Sequence, residues 1–121
     1  RKRARHVVTE NARVHIVSEL LRTGRVREIG PHLTDSHRSL RDDFEVSTPE
    51  LDVIVESALY EGALGARVTG AGFGGSALAL VDTDDTAHVM TAVSREYERR
   101  YGATPVFREV TAAAGATRQP L

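Results

Sequence analysis

The 121-residue chain carries 16 basic against 17 acidic side chains, 40% hydrophobic residues and no cysteine. That length fits one domain, and a chain without thiols has neither a disulfide scaffold nor a thiolate-ligated metal site. No stretch approaches the roughly 18 to 20 apolar residues of a membrane span, and the basic N-terminus lacks a signal peptide's apolar core, so a soluble, cytoplasmic protein without a membrane partner is expected.

Residue 1 is an arginine and the only methionine is Met90, so the chain is expected to begin inside a longer protein or to have been trimmed. Residues 1–45 hold ten basic and seven acidic groups, and residues 46–121 hold six and ten. Arg1, Lys2, Arg3 and Arg5 could neutralise phosphates. No aromatic stacking platform follows, however, and Arg13, Arg22, Arg25 and Arg27 interleave with Glu10, Glu19 and Glu28. A solvated helix start is therefore expected in preference to a nucleic-acid surface.

From His6 to Leu21, Val7, Val14, Val17 and Leu21 recur at helical spacing, with Ile16 and Leu20 widening the stripe. This predicts an amphipathic helix that buries those residues and ends at Gly24, where a left-handed cap suits glycine. In residues 25–43 Pro31 interrupts a weak periodicity. Thr34, Asp35 and Ser36 could then cap a short helix carrying Leu40, giving one helix or two short pieces. The next start is clearer: Ser47 and Glu50 have capping-box spacing, Pro49 lies in the first turn, and Val46 with Leu51 could form a hydrophobic staple. Leu51, Ile54, Val55, Ala58 and Leu59 predict one buried face, ending near Gly62.

Ala66–Thr69 and the apolar run Ala77–Val81 flank a glycine-rich turn, which predicts two antiparallel strands joined by a glycine loop. Asp82, Thr83, Asp84 and Asp85 offer caps for a helix with Val89, Met90, Val93, Tyr97 and Tyr101 on its inner face, ended by Gly102. Thr104–Thr111 reads as a third strand with Pro105 at its start or edge, and the Ala112–Leu121 tail is expected to fray. The sum is an α+β fold: an antiparallel sheet with helices packed on one face, preceded by helical segments. Three strands are few for so many helices, so an upstream strand is expected to be missing.

The string TGAGFGGS, Thr69–Ser76, is the densest chemical signal. Glycine allows positive φ and close approach of a ligand or of another backbone. Gly70, Gly72 and Gly75 satisfy GxGxxG, but a predicted strand follows where the dinucleotide fingerprint needs a helix. No lysine follows the glycines either, Lys2 being the only one in the chain, which removes a Walker loop. On the residues alone, a ligand or domain-contact loop and a plain structural hairpin stand level.

Other groups have plainer readings. Asp42, Asp43 and Glu45 could suggest magnesium, but neighbouring helical residues diverge by about 100°, so a solvated or arginine-paired patch is expected. His6, His15, His32, His37 and His88 include no pair at the spacing of a helical zinc site. His37, Ser39 and Asp42 or Asp43 have the residue types of a hydrolytic triad without its nucleophile elbow, so capping and interhelical bonds are expected. His6 is expected to be a partly buried hydrogen-bonding histidine, and Tyr97 and Tyr101 to pack in the core.

Three segments together resemble the C-terminal part of the galactokinases, whose superfamily includes homoserine and mevalonate kinases. They are RARHVVTENARV (Arg3–Val14), SHRSLRDDFEVSTPELD (Ser36–Asp52) and GALGARVTGAGFGGSALALV (Gly62–Val81). The resemblance implies a ferredoxin-like fold over residues 47–121, with residues 1–46 as a helical segment packing on it. It implies transfer of the ATP γ-phosphoryl group to the C1 hydroxyl of α-D-galactose, with magnesium. The catalytic aspartate, the main phosphate loop and most sugar contacts would lie in an N-terminal kinase domain outside this chain, so no catalytic residue is assigned and the chain alone is expected to lack turnover. Gly70, Gly72, Gly74 and Gly75 carry over as the family's last glycine motif, with Thr69 and Ser76 as weaker flanking candidates. The alternatives are a non-enzymatic ferredoxin-like module that binds a protein partner and a sugar-sensing relative. Self-association of the chain is also expected.

Overall fold

The computed structural model describes residues 1–115. The first helix, α1 (Lys2–Arg22), stops where the sequence predicts. Gly24 takes φ +74°, its N–H donates to the Leu21 carbonyl at 3.2 Å, and the Arg25 N–H reaches back to Leu20 at 2.8 Å. This is a Schellman arrangement, which satisfies carbonyls that the helix end would otherwise orphan. Most of the predicted face is not buried. Val7, Val14, Ile16 and Leu21 are exposed, and of that stripe only Leu20 is buried, together with His6, whose burial is expected. The polar side turns inward because it has specific partners there: Glu10 accepts from the Ser36 hydroxyl at 2.7 Å and His6 meets Ser39 at 2.9 Å.

A 3-10 turn (Val26–Ile29) leads into α2 (Gly30–Ser39). Pro31 sits in the first turn of α2, where a missing N–H costs nothing. The helix therefore begins at Gly30, just before the proline, and Thr34, Asp35 and Ser36 lie inside it and do not cap it. It runs on through a π-helical turn (Leu40–Phe44) that ends at Glu45 in the left-handed region, φ 62°.

The third helix, α3 (Pro49–Tyr60), is capped one residue later than predicted: the Thr48 hydroxyl accepts from the Leu51 N–H at 3.3 Å. Ser47 instead donates to the Asp52 carboxylate at 2.7 Å, so a polar pair occupies the positions of the staple. Leu51, Val53, Val55 and Ala58 are buried.

Strands β1 (Gly65–Thr69) and β2 (Ser76–Leu80) pair antiparallel, from Gly65 opposite Leu80 to Thr69 opposite Ser76. After a 3-10 turn (Thr83–Asp85), α4 (Thr86–Tyr101) ends at Gly102, φ 67°. Val55, Ala58, Ala66, Val89 and Val93 form the core between α3, α4 and the hairpin, and Phe107 packs against it. The Tyr97 and Tyr101 rings meet at 4.9 Å.

Helices against a small antiparallel sheet match the predicted fold class, but the predicted third strand is absent. Residues 103–115 form neither helix nor strand. The segment lines the far side of a groove of about 510 Å³ whose near side is β2. No ladder pairing joins it to β2, whose only strand partner among the described residues is β1. The tail's predicted fraying extends over residues 116–121, outside those described.

The two outer edges of the hairpin differ. At β1 the space is closed by α2: a Cβ on Gly65 would stand 2.0 Å from the Gly30 carbonyl oxygen, and one on Gly30 would stand 2.1 Å from that of Leu64. The β2 edge faces the open groove.

Candidate functional site

The loop between β1 and β2 turns through four glycines with positive φ, Gly70 at 84°, Gly72 at 84°, Gly74 at 119° and Gly75 at 102°, and Phe73 also lies in the left-handed region at 57°. Its centre is pinned. The Phe73 N–H donates to the Val46 carbonyl at 2.6 Å, and a Cβ on Gly72 would lie 2.7 Å from both the Cβ and the carbonyl oxygen of Val46. Around Gly70, Gly74 and Gly75 no atom lies within 4 Å of the position a Cβ would take. The loop is thus seated on Val46 at one point and open along the rest. Phe73, at its tip, is 75% exposed.

Val46 is itself held from below. Lys2 and Arg3 at the start of α1 pair with Glu45 at 3.2 and 3.0 Å, and Arg5 pairs with Asp43 at 3.2 Å. The Arg3 guanidinium also bonds the Asp43 carbonyl at 2.6 Å and lies over the Phe44 ring. The cluster stays solvated, as expected, with the Lys2, Arg3 and Arg5 side chains 53 to 63% exposed, and these three also clasp the turn on which the glycine loop sits. Lys2, then Arg3, hold the Glu45 carboxyl below its usual range. Arg41 does the same for Asp42, pairing at 2.8 Å. The acidic patch is the arginine-paired one the sequence predicts. Among the described residues no group of three or more His, Asp or Glu side chains is placed to hold a metal ion.

The triad residue types are not brought together. Ser39 is buried and contacts His6 Nδ1 at 2.9 Å and Asp43 at 3.4 Å, with the serine in the middle position that a catalytic histidine would need. His6 is buried and hydrogen-bonded as predicted, its ring stacked on Phe44 at 4.6 Å. His37 turns the other way. Its Nε2 lies 3.0 Å from Asp52, and its Nδ1 accepts from the Val68 N–H at 3.4 Å. Burial pushes the His37 imidazole below its ordinary pKa, against the opposing pull of Asp52.

The GHMP kinases C-terminal family profile matches residues 17–99, which include the whole glycine loop and its Val46 seat. The chain belongs to the GHMP kinase C-terminal family. Within that family it is similar to galactokinases. It is 48% identical over 118 residues to the galactokinase of Streptomyces coelicolor, covering 98% of this chain and 30% of that protein. Against the human galactokinase it is 46% identical over 116 residues, covering 95% and 29%. A crystal structure of Lactococcus lactis galactokinase complexed with galactose superimposes with a TM-score of 0.80 at 46% identity, over 85% of this chain and 27% of that one. The chain thus spans less than a third of the length of these relatives.

In this GHMP kinase C-terminal chain the glycine loop is legible in the residues, whereas three features beside it are not: the Val46 seat, the left-handed Glu45, and the His37–Asp52 pair that reaches Val68 in β1. Val46 resembles any core valine in sequence. Glu45 carries no sign of a left-handed φ, since the residues that favour it are glycine and asparagine. All three lie inside the segment SHRSLRDDFEVSTPELD, so the resemblance in that stretch was the available signal.

Proposed function

We propose that this chain is the C-terminal portion of an ATP-dependent galactokinase, which transfers the γ-phosphoryl group of ATP to the C1 hydroxyl of α-D-galactose. The observation that carries the reading is the 46% identity and 0.80 TM-score to a galactokinase complexed with galactose. The glycine loop, with Gly70, Gly72, Gly74 and Gly75, forms one wall of the nucleotide and sugar cleft, and Thr69 and Ser76 set its ends. Phosphoryl transfer depends on in-line positioning and on charge stabilisation around the moving group. A side-chain-free wall suits that chemistry because backbone can approach the ligand closely, and the space beside Gly70, Gly74 and Gly75 is open.

ATP fits this chain's residues at that wall. Magnesium does not: Asp42, Asp43 and Glu45 are each engaged by a basic side chain, and no other acidic group among the described residues completes a site. In this reading the magnesium ligands, the catalytic aspartate, the main phosphate loop and most sugar contacts belong to the N-terminal kinase domain, and the 121-residue chain alone has no turnover. The test is ATP-dependent formation of galactose 1-phosphate by the intact natural protein and by this chain. Turnover by the first and none by the second is expected. An intact protein that binds galactose without phosphorylating it would replace the reading with a sugar sensor, and one that neither binds nor phosphorylates it would leave a protein-binding module.

A further inference from the structure

His37 is a buried titratable group that neither the glycine motif nor the cleft reading accounts for. It is 2% exposed and lies where three elements meet: it stands on α2, its Nε2 faces Asp52 in the first turn of α3, and its Nδ1 faces the backbone of β1. A backbone N–H can only donate, so Nδ1 must be the unprotonated acceptor toward Val68 and the ring hydrogen must sit on Nε2, donated to Asp52. Asp52 is in turn fixed by the Ser47 hydroxyl at 2.7 Å. These partners select one tautomer and one protonation state.

Val68 is the point of β1 at which this matters. It pairs with Ala77 at the mouth of the hairpin, two residues before Gly70. At the other end of β1, α2 touches the strand through bare backbone at Gly30 and Gly65. Near the loop the imidazole takes the place of that backbone contact. The Arg67 guanidinium also donates to the Val68 carbonyl at 2.9 Å and lies 3.9 Å from Glu10, so His37 is a titratable contact at the entry to the glycine loop.

We propose that His37 is the positioning residue of the glycine loop: its neutral imidazole holds Val68, and through it the entry strand, so that gaining a proton releases the loop. This rests on the cleft reading of the loop given above. Protonated Nδ1 would set a ring N–H against the Val68 N–H, two donors without an acceptor between them. From α3, Asp52 and Glu56 favour the proton, and from the π-helical turn Arg41 opposes it. Burial opposes it most, which keeps the ring neutral near pH 7.

Two uncharged substitutions separate the two ring nitrogens. Asparagine places a carbonyl oxygen near the Nδ1 position and can still accept from Val68. Glutamine places an amide N–H near Nε2 and can still donate to Asp52. The experiment is hydrogen exchange of the 66–76 segment, corrected for intrinsic rates, with kcat and KM for galactose, in the intact protein between pH 5 and 8. The wild type should lose about tenfold in segment protection on acidification, the equivalent of one net hydrogen bond, with kcat falling over the same range and KM changing less. His37→Asn should keep the protection seen at pH 8 and lose the acid dependence. His37→Gln should be deprotected at every pH while α2 and α3 stay protected. A His37→Gln loop as protected as the wild type, or an unaltered acid dependence in His37→Asn, overturns the proposal. Absence of turnover in the wild type would refute the cleft reading alone, since exchange still decides whether His37 holds the loop.

Discussion

Gly72 and Gly74 stand one residue apart and answer to different constraints. At Gly72 a side chain would meet the backbone oxygen and Cβ of Val46, neither of which is a flexible side-chain end that can move aside. At Gly74 there is open space, and only φ of 119° resists substitution. Gly72→Ala should therefore unseat the loop and cost about 1 to 3 kcal/mol of stability through overpacking, with additional positive-φ strain. Gly74→Ala carries only the strain of an unfavoured backbone region, about 1 to 3 kcal/mol, without the overpacking. Under the cleft reading, Gly74→Ala should still cut phosphoryl transfer by the intact protein, because the added methyl enters the space offered to the ligand. Denaturant midpoints set beside initial rates will separate the two, and a Gly74→Ala protein with full activity would place the ligand elsewhere. The sequence showed the need for small residues at both positions in the same letters. It could not show that one need comes from Val46, twenty-six positions earlier.

At the scale of elements, caps and turns were legible where the signal is local, and faces were not where it depends on a neighbour. The Gly24 and Gly102 stops formed as read because the left-handed residue and its bonds lie within one turn. Most of the predicted face of α1 stayed exposed, Leu20 excepted, because partners on α2, Ser36 and Ser39, engage Glu10 and His6 on the inner side. At the end of α4, Glu96 takes hydrogen bonds from Arg99 and Arg100 at 2.7 and 2.6 Å, which hold its carboxyl at about 2 against an ordinary 4.5. A carboxyl whose folded pKa is depressed supports the fold above its unfolded value. That support declines as pH falls from 4.5 toward about 2. Thermal melts of the intact protein should show part of the acid loss in that window disappear in Glu96→Gln, and shrink in high salt because the group is exposed. Superimposable acid profiles for the two proteins would remove Glu96 from the account.

At the scale of the molecule, two regions of the described residues each group several exposed apolar side chains. One is the groove between β2 and residues 106–111, edged by Leu78, Val106 and Val110, which are 41, 87 and 71% exposed. The other is the outer face of α1, with Val7, Val14 and Leu21 at 52, 62 and 49%. An open strand edge beside an apolar groove is a template for pairing with another chain. The isolated 121-residue chain should therefore self-associate, its sedimentation mass rising above 13.2 kDa with concentration. Lysine at both Leu78 and Val106 should suppress that rise. A mass that stays at the monomer value at high concentration would show that the edge is not available for pairing.

Among the described residues, no helix is long and apolar enough to cross a membrane. The helices outside residues 25–43, the hairpin, the glycine loop and the resemblance to the family were legible in the chain itself, because each is written in short-range spacing or in contiguous motifs. The tertiary structure alone decided which face of α1 turns inward, that residues 104–111 form no strand, that the basic N-terminus clasps Glu45, and that His37 reaches Val68. Each of these is settled by a contact between residues far apart in the chain, or by the lack of one, and the energy of such a contact depends on positions that local spacing does not encode.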